Sequence, residues 1–218
     1  MTIVKHIAHR GCIDIENTIE GITEAAESFD MVEVDVRYNS ERVVVLCHDR
    51  EKRNEINEPL SALCQISTPM RLMLDIKAFG IQTAQKLARD VVFCVSQHPQ
   101  HEYELCSFNE YCVQELIEQR IVSRSYLIPH TYRIGVIASG IPMGMFGHMP
   151  DIDFISLNYD IVHEEIIEKC RDSRNGKKAI YAWTCNDENV KHDMIYRYKL
   201  EGIIYDQKSL WKKIEANL

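Results

Sequence analysis

The sequence repeats one pattern along nearly its whole length, in which a short apolar or β-branched run is followed by an amphipathic stretch. The eight runs that we predict as barrel strands are residues 3–8, 31–36, 72–76, 103–106, 125–128, 154–157, 179–183 and 202–205. Apolar residues at three- and four-residue spacing predict helices at residues 19–28, 81–96, 110–119, 162–171, 188–198 and 208–214. Strands that alternate with helices indicate a parallel sheet, and eight such units fit a closed (β/α)8 barrel.

One apolar run, residues 43–47, breaks this alternation. Only residues 37–42 separate it from the second strand, which is too short for a crossover helix, so the run is expected to return as an antiparallel hairpin arm. We therefore predict an α/β fold. It is a (β/α)8 TIM barrel with a short β-hairpin arm at the carboxyl-terminal rim and no sizeable insertion domain, forming a single domain over residues 1–218.

The charge balance limits the class of partner. The chain of 218 residues has a formal net charge of −8, with 45% hydrophobic and 27% charged residues. A protein held to nucleic acid through its phosphates usually has a basic face, so no nucleic-acid partner is expected. A small phosphate ester remains compatible with an acidic protein, because a local site can still be positive.

The expected location is the cytoplasm. The first residues lack a basic stretch followed by a long apolar run, and nothing approaches the ~18 apolar residues of a membrane span. The eight cysteines are scattered and include no CxxC pair, which favours reduced thiols over disulfides or a zinc site. We expect no stable membrane association, and the oligomeric state is left open.

Polar and titratable residues collect at the ends of the predicted strands. They are His9, Arg10, Glu33, Asp35, His48, Asp75 and Lys77. The carboxyl ends of all barrel strands meet at one face, where these side chains are expected to converge. Three carboxylates aimed at one point repel each other unless a cation lies among them, and oxygen ligands favour Mg²⁺ or Ca²⁺. The sequence thus predicts one divalent cation.

These motifs resemble the signature of the glycerophosphodiester phosphodiesterase family. The resemblance covers His9-Arg10-Gly11, Glu16-Asn17-Thr18, Glu33-Val34-Asp35, His48-Asp49, Leu74-Asp75-Ile76-Lys77, Ser107-Phe108, Trp183-Thr184 and Gly202-Ile203-Ile204-Tyr205-Asp206, in family order. It implies that Glu33, Asp35 and Asp75 bind the metal and that His9 and His48 are the acid/base pair. It also implies that Arg10 and Lys77 contact the phosphate. Glu16 and Asn17 would support the site, and Trp183 would line the substrate pocket.

The activity implied by the resemblance is metal-dependent hydrolysis of a small phosphodiester to glycerol 3-phosphate and an alcohol. Two alternatives stay open: a phospholipase D-like lyase that forms a cyclic phosphate, and a non-catalytic barrel that binds a phosphorylated ligand. The chain departs from the family where Asp75 replaces a glutamate, which draws the carboxylate back by roughly 1.5 Å. The stretch from Asp49 to Met73 is also short, so we expect an open site whose substrate preference cannot be transferred from the family.

Overall fold

The computed structural model describes residues 4–49, 57–125, 132–140, 151–171 and 178–207. Nine strands form one sheet: β1 (Lys5–Cys12), β2 (Met31–Tyr38), β3 (Val44–Leu46), β4 (Arg71–Ile76), β5 (Glu102–Ser107), β6 (Tyr132–Ala138), β7 (Phe154–Asn158), β8 (Ala179–Trp183) and β9 (Gly202–Gln207). Within these described ranges, five α-helices accompany them: α1 (Ile19–Ala26), α2 (Ile81–Ser96), α3 (Glu110–Ser125), α4 (Glu164–Arg171) and α5 (Glu188–His192).

The sheet closes on itself. The strand order is β1-β9-β8-β7-β6-β5-β4-β2-β3, and β1 also pairs with β2. All pairs among the eight strands other than β3 are parallel, which places their carboxyl ends on one face. The predicted (β/α)8 barrel is confirmed.

The predicted hairpin arm is also present. Strand β3 pairs antiparallel with the end of β2, with Val36 opposite Leu46 and Tyr38 opposite Val44. The backbone N–H of Cys47 then donates to the carbonyl of Asp35 at 3.0 Å, so the arm returns to the carboxyl-terminal rim. This return places His48 beside the barrel mouth.

Some predicted elements differ from the structure. The predicted strand at 125–128 is wrong in part: Ser125 still belongs to α3, the remainder lies outside the described residues, and the fifth barrel strand is Tyr132–Ala138. Gly135 within that strand weakens its sequence signal, since glycine is disfavoured in strand interiors. A Cβ there would lie 2.2 Å from the ring of Phe154, which explains the glycine. The predicted helix at 208–214 lies outside the described residues.

Two further connections depart from regular helices. Between β3 and β4, the described residues contain a 3₁₀ helix, Leu60–Gln65, in place of an α-helix. The predicted helix at 188–198 is divided into α5 and a π-helical turn, Asp193–Arg197. Neither departure changes the direction in which the following strand enters the barrel.

The core has two layers, one between barrel and helices and one inside the barrel. The inner layer contains Ile7, Met31, Met73, Cys106, Ile137, Phe154, Tyr181 and Ile204. The rings of Phe154 and Tyr181 pack with centroids 5.2 Å apart, and the Tyr181 hydroxyl meets Lys5 and Glu104 at the amino-terminal end of the barrel. These contacts belong to the amino-terminal end of the barrel, whereas the cavity lined by the residues singled out in the sequence lies at the carboxyl-terminal end.

Two further properties bear on the expectations from the sequence. All eight cysteines are free thiols, as their scattered positions suggested. Across the helices of the described ranges, none is both long enough and apolar enough to cross a bilayer.

Candidate active site

A cavity of about 240 Å³ opens at the carboxyl ends of the barrel strands. It is lined by His9, Arg10, Glu33, Asp35, His48, Met73, Asp75, Lys77, Phe108, Ile137, Ser156, Trp183, Thr184 and Ile204. Eight of the ten site residues predicted from the sequence are therefore brought to one cavity. The other two, Glu16 and Asn17, contact residues of its wall.

Three buried carboxylates lie together in the wall of this cavity. Glu33 and Asp35 lie two residues apart on β2 and so point to the same face, and Asp75 is the register partner of Asp35 on β4. One carboxylate oxygen from each lies within 4.8 Å of the other two. Their side chains are almost completely shielded from solvent, with exposed fractions of 5%, 2% and 4%.

Burial and mutual repulsion act together on these carboxylates. The pKa of Glu33 is raised well above its usual value, first by desolvation and then by the charges of Asp35 and Asp75. Desolvation also raises the pKa of Asp75, to about 6, although Lys77 opposes the shift. The group thus holds negative charge at a free-energy cost, which a bound cation would offset.

Two basic side chains meet the carboxylates. Lys77 Nζ lies 2.5 Å from Asp75 Oδ2 and 3.1 Å from Asp35 Oδ1. Arg10 Nε lies 3.0 Å from Asp35 Oδ2. The carboxylates nevertheless outnumber these cations by three to two.

The donor set fits a hard divalent ion. Asp75 Oδ1 is buried and has no hydrogen-bond partner within the described part of the chain, so it is available as a ligand. The three converging groups supply oxygen alone, which suits Mg²⁺ or Ca²⁺ better than zinc or copper. The shorter Asp75 side chain still reaches the other two carboxylates.

A left-handed turn near the end of β1 positions Arg10 beside Glu33. Arg10 and Gly11 adopt φ values of 57° and 77°, and a Cβ on Gly11 would lie 2.8 Å from the backbone of Gly21. In this turn, the Arg10 backbone N–H donates to Glu33 Oε2 at 3.0 Å. The left-handed turn therefore fixes the basic side chain over the acidic group.

Glu16 and Asn17 contact two residues of the cavity wall, Arg10 and Asp35. Arg10 Nη1 donates to Glu16 Oε2 at 3.2 Å. Asn17 holds Asp35 from both sides, since its Nδ2 donates to Asp35 Oδ2 at 3.1 Å and its Oδ1 accepts from the Asp35 backbone N–H at 2.8 Å.

His9 is oriented by a contact to which sequence reasoning assigned no role. Its Nδ1 lies 2.6 Å from Asp206 Oδ1, and Asn186 holds Asp206 by donating to Oδ2 at 2.7 Å and accepting from the Asp206 backbone N–H at 2.9 Å. Nε2 is then the ring nitrogen left for a ligand. Burial lowers the pKa of His9, against the opposing effect of the Asp206 hydrogen bond. The available signal was the position of Asp206 directly after the last apolar run.

His48 has a more open setting. Its Nδ1 lies 2.9 Å from Asp49 Oδ1, and its side chain is 36% exposed. Arg37 Nη1 donates to the His48 carbonyl at 2.8 Å, which ties the end of the arm to β2. The imidazoles of His9 and His48 therefore line the same cavity but are shielded from solvent to different degrees.

An aromatic wall faces the charged side. Trp183 Nε1 donates to the Ser156 carbonyl at 3.2 Å, and its ring meets Phe108 edge-on with centroids 5.6 Å apart. Trp183 and Ser156 both line the cavity. Ser156 was not predicted from the sequence, because a lone strand serine has no distinctive sequence signal.

The class of protein defined here is a TIM barrel with a histidine–carboxylate site at its carboxyl-terminal face. The family model of the Glycerophosphoryl diester phosphodiesterase family matches residues 7–71, the segment that contains both site histidines and two of the three carboxylates. The chain carries the signature of this family over that segment, and the resemblance predicted from the sequence is confirmed. The enzyme class predicted with it, a phosphoric diester hydrolase, is the class of the matched family.

Solved structures share the fold. A glycerophosphodiester phosphodiesterase from Parabacteroides distasonis is 19% identical with a TM-score of 0.72, and the match covers 98% of this chain and 97% of that one. An Oleispira antarctica phosphodiesterase in complex with the product sn-glycerol-3-phosphate is 20% identical, with a TM-score of 0.69 and coverage of 97% and 95%. A glycerophosphodiester phosphodiesterase from Agrobacterium tumefaciens is 16% identical, with a TM-score of 0.55 and coverage of 97% and 100%. None of the curated proteins matches significantly.

The raised pKa of Asp75 predicts that the effect of a metal on stability depends on pH. Without metal, the folded protein holds this proton up to a pKa of about 6, against 3.8 ordinarily. The contribution of this proton to the free energy of unfolding is complete below pH 3.8. It is lost, by about 3 kcal/mol, as the pH rises through the folded-state pKa of about 6. A cation replaces the proton, so the increase in Tm from saturating Mg²⁺ or Ca²⁺ should grow from pH 5 to pH 8.

Thermal unfolding with and without metal across this range tests the prediction. The variant Asp75→Asn should show a smaller dependence on pH, because it has no proton to release at this position. A metal-induced shift in Tm that is the same at every pH would contradict the prediction.

Proposed function

We propose that the protein hydrolyses glycerophosphodiesters to glycerol 3-phosphate and an alcohol, and that this activity requires one divalent cation, Mg²⁺ or Ca²⁺. The observation that carries the proposal is the meeting of His9 and His48 with the acidic group and two basic side chains around one cavity. The product bound to the Oleispira antarctica phosphodiesterase, sn-glycerol-3-phosphate, supports this substrate class. The chain would act as one catalytic domain.

Glu33, Asp35 and Asp75 would hold the cation. A bound divalent ion supplies Lewis-acid stabilisation for the charge that develops on a phosphoryl oxygen. The protein contributes the preformed arrangement, since Asn17 and the Arg10 backbone fix two of the carboxylates before any ligand arrives.

Arg10 and Lys77 would bind the phosphate. Both are held at the edge of the cavity by carboxylates, so little side-chain freedom remains to be lost when the substrate binds. Lys77 supplies a point charge, whereas the guanidinium of Arg10 offers several donors in one plane.

The two histidines would divide the proton transfers. Displacement at phosphorus needs a base for the attacking group and an acid for the leaving oxygen on the opposite side. His9 is oriented through Nδ1 by Asp206, so it would exchange protons through Nε2. His48 lines the same cavity and would transfer the proton at the other of these two oxygen atoms.

Product analysis tests the proposed reaction. With glycerophosphocholine and metal-loaded protein, phosphorus NMR should show glycerol 3-phosphate appearing at the same rate as proton NMR shows free choline appearing. Accumulation of a cyclic phosphate would instead indicate the lyase. Saturable binding without turnover over Mg²⁺, Ca²⁺ or Mn²⁺ would indicate a non-catalytic binding protein.

A further inference from the structure

One side-chain hydroxyl in the wall of the cavity has no partner. Ser156 lines the cavity and is fully buried, with an exposed fraction of 0%. Its carbonyl accepts from Trp183 Nε1, but its Oγ has no hydrogen-bond partner within the described part of the chain. A buried hydroxyl without a partner is unfavourable, because it has lost its hydrogen bonds to water. The Ser156 hydroxyl is therefore available to a ligand in the cavity.

The alternation of side chains along β7 directs Ser156 into the barrel. Phe154, two residues earlier on the same strand, belongs to the inner layer of the core, and side chains two residues apart share a face. The register partners of Ser156, Ile137 on β6 and Tyr181 on β8, belong to the same layer. The hydroxyl thus lies on the inner wall, at the level where the core of the barrel meets the cavity.

Ser156 faces the acidic group from across the barrel. In the closed order of strands, β7 stands opposite β2, which contributes Glu33 and Asp35. Of the cavity residues on strands β6, β8 and β9, only Trp183 has a polar side-chain atom, and that N–H already donates to the Ser156 carbonyl. The wall formed by these strands therefore offers a ligand one unpaired hydroxyl in apolar surroundings.

The depth of Ser156 indicates which end of a phosphodiester it meets. Ser156 is fully buried, whereas the side chain of His48 is 36% exposed and Phe108, which lines the cavity beyond β5, is 42% exposed. The alcohol of a glycerophosphodiester varies in size, so it needs the open side of the cavity. The glycerol group is small and ends in a hydroxyl, which matches an enclosed wall with one unpaired hydroxyl.

We propose that the Ser156 hydroxyl forms a hydrogen bond with the terminal hydroxyl of the glycerol group and so selects glycerol over alcohols that lack this hydroxyl. The inference rests on the proposed function and adds a specificity-determining residue to it. With the phosphate at Arg10 and Lys77, the glycerol chain extends across the barrel, and its terminal hydroxyl is the group farthest from phosphorus. A substrate without this hydroxyl leaves Ser156 unpaired in the complex, which a site of this kind discriminates against.

A double-mutant cycle between the protein and the substrate tests this pairing. We would compare wild type with Ser156→Ala on glycerophosphocholine and on 2-hydroxypropyl phosphocholine, which lacks only the terminal hydroxyl. The matched control is Ser107→Ala. Ser107 is equally buried and lies on β5, but its Oγ donates to the Ile76 carbonyl at 2.6 Å and it does not line the cavity.

The expected result is a preference that depends on Ser156. Wild type should have a kcat/KM about tenfold to a hundredfold higher on glycerophosphocholine than on the deoxy analogue. Ser156→Ala should lose most of this preference, through a fall on glycerophosphocholine with little change on the analogue. Its Tm should be no lower than that of wild type, because the hydroxyl removed has no partner in the free protein. Ser107→Ala should keep the wild-type preference.

A purely structural role for Ser156 gives a different result. An equal fall on both substrates, or a preference that Ser156→Ala leaves unchanged, would overturn the inference. If Ser156→Ala does not fold, Ser156→Cys is used in the same comparison, since it has a similar shape but only a weak donor.

Failure of the proposed activity is seen separately. If wild type hydrolyses neither phosphocholine ester, the proposed function fails, and calorimetric titration with glycerol 3-phosphate and 2-hydroxypropyl phosphate decides the inference. Wild type should then bind glycerol 3-phosphate about tenfold more tightly or better, and Ser156→Ala should bind both compounds alike. Equal Kd values in wild type, or no binding of either compound, would overturn the inference as well.

Discussion

The variant His9→Ala is expected to lower kcat on glycerophosphocholine by about a thousandfold while leaving the protein folded. His9 lines the cavity and is held at 2.6 Å by Asp206, so its removal takes away an oriented proton-transfer group. His48→Ala should have an effect of similar size, because the oxygen on the other side of the phosphorus atom then lacks its proton-transfer group. Steady-state kinetics with saturating metal measures both.

The matched control is His192→Ala. His192 is also a histidine, but its side chain is 68% exposed and it belongs to α5 on the outer layer. Its variant should retain wild-type kcat and KM. Full activity in His9→Ala or His48→Ala, with metal affinity unchanged, would remove that residue from the mechanism.

The variant Asp35→Asn is expected to reduce activity at least as much, by about a thousandfold or more, because one neutral amide replaces the central carboxylate of the acidic group. Asp35 meets Arg10, Lys77 and Asn17 together, so its charge organises the whole polar side of the cavity. Treatment with EDTA should abolish the activity of wild type, and added Mg²⁺ or Ca²⁺ should restore it.

Two measurements separate loss of metal from loss of fold. Circular dichroism should show Asp35→Asn folded, and the increase in Tm on adding metal should be largely lost. Asp193→Asn, at an exposed carboxylate of the outer layer, should keep both activity and the metal-induced shift. Wild-type turnover that EDTA does not affect would contradict the metal requirement.

The sequence predicted the architecture well because strand and helix periodicities differ and alternate. The helix at 81–96 was predicted with the same bounds as α2, and the shortness of residues 37–42 was enough to predict the antiparallel arm. It failed near Ser125, where an apolar run resembles either a strand or the last turn of a helix. The true strand, β6, was missed because it contains Gly135, which is required by packing: the ring of Phe154, its register partner on the adjacent strand β7, leaves no room for a Cβ.

The site was predictable where its residues lie at strand ends, because parallel strands bring those ends together. Glu33 and Asp35 share a face by their spacing alone, and Asp75 joins them through strand pairing. The link between His9 and Asp206 was not predictable from spacing, because it depends on the closure of the barrel between β1 and β9.

The most direct test of the central claim is an anomalous difference map from crystals of the protein grown with Mn²⁺ in place of Mg²⁺. A single strong peak should lie in coordination distance of oxygen atoms from Glu33, Asp35 and Asp75, facing His9 and His48. A map with no peak there, while Lys77 still bridges Asp35 and Asp75, would show that the lysine neutralises these carboxylates and that no cation binds between the imidazoles.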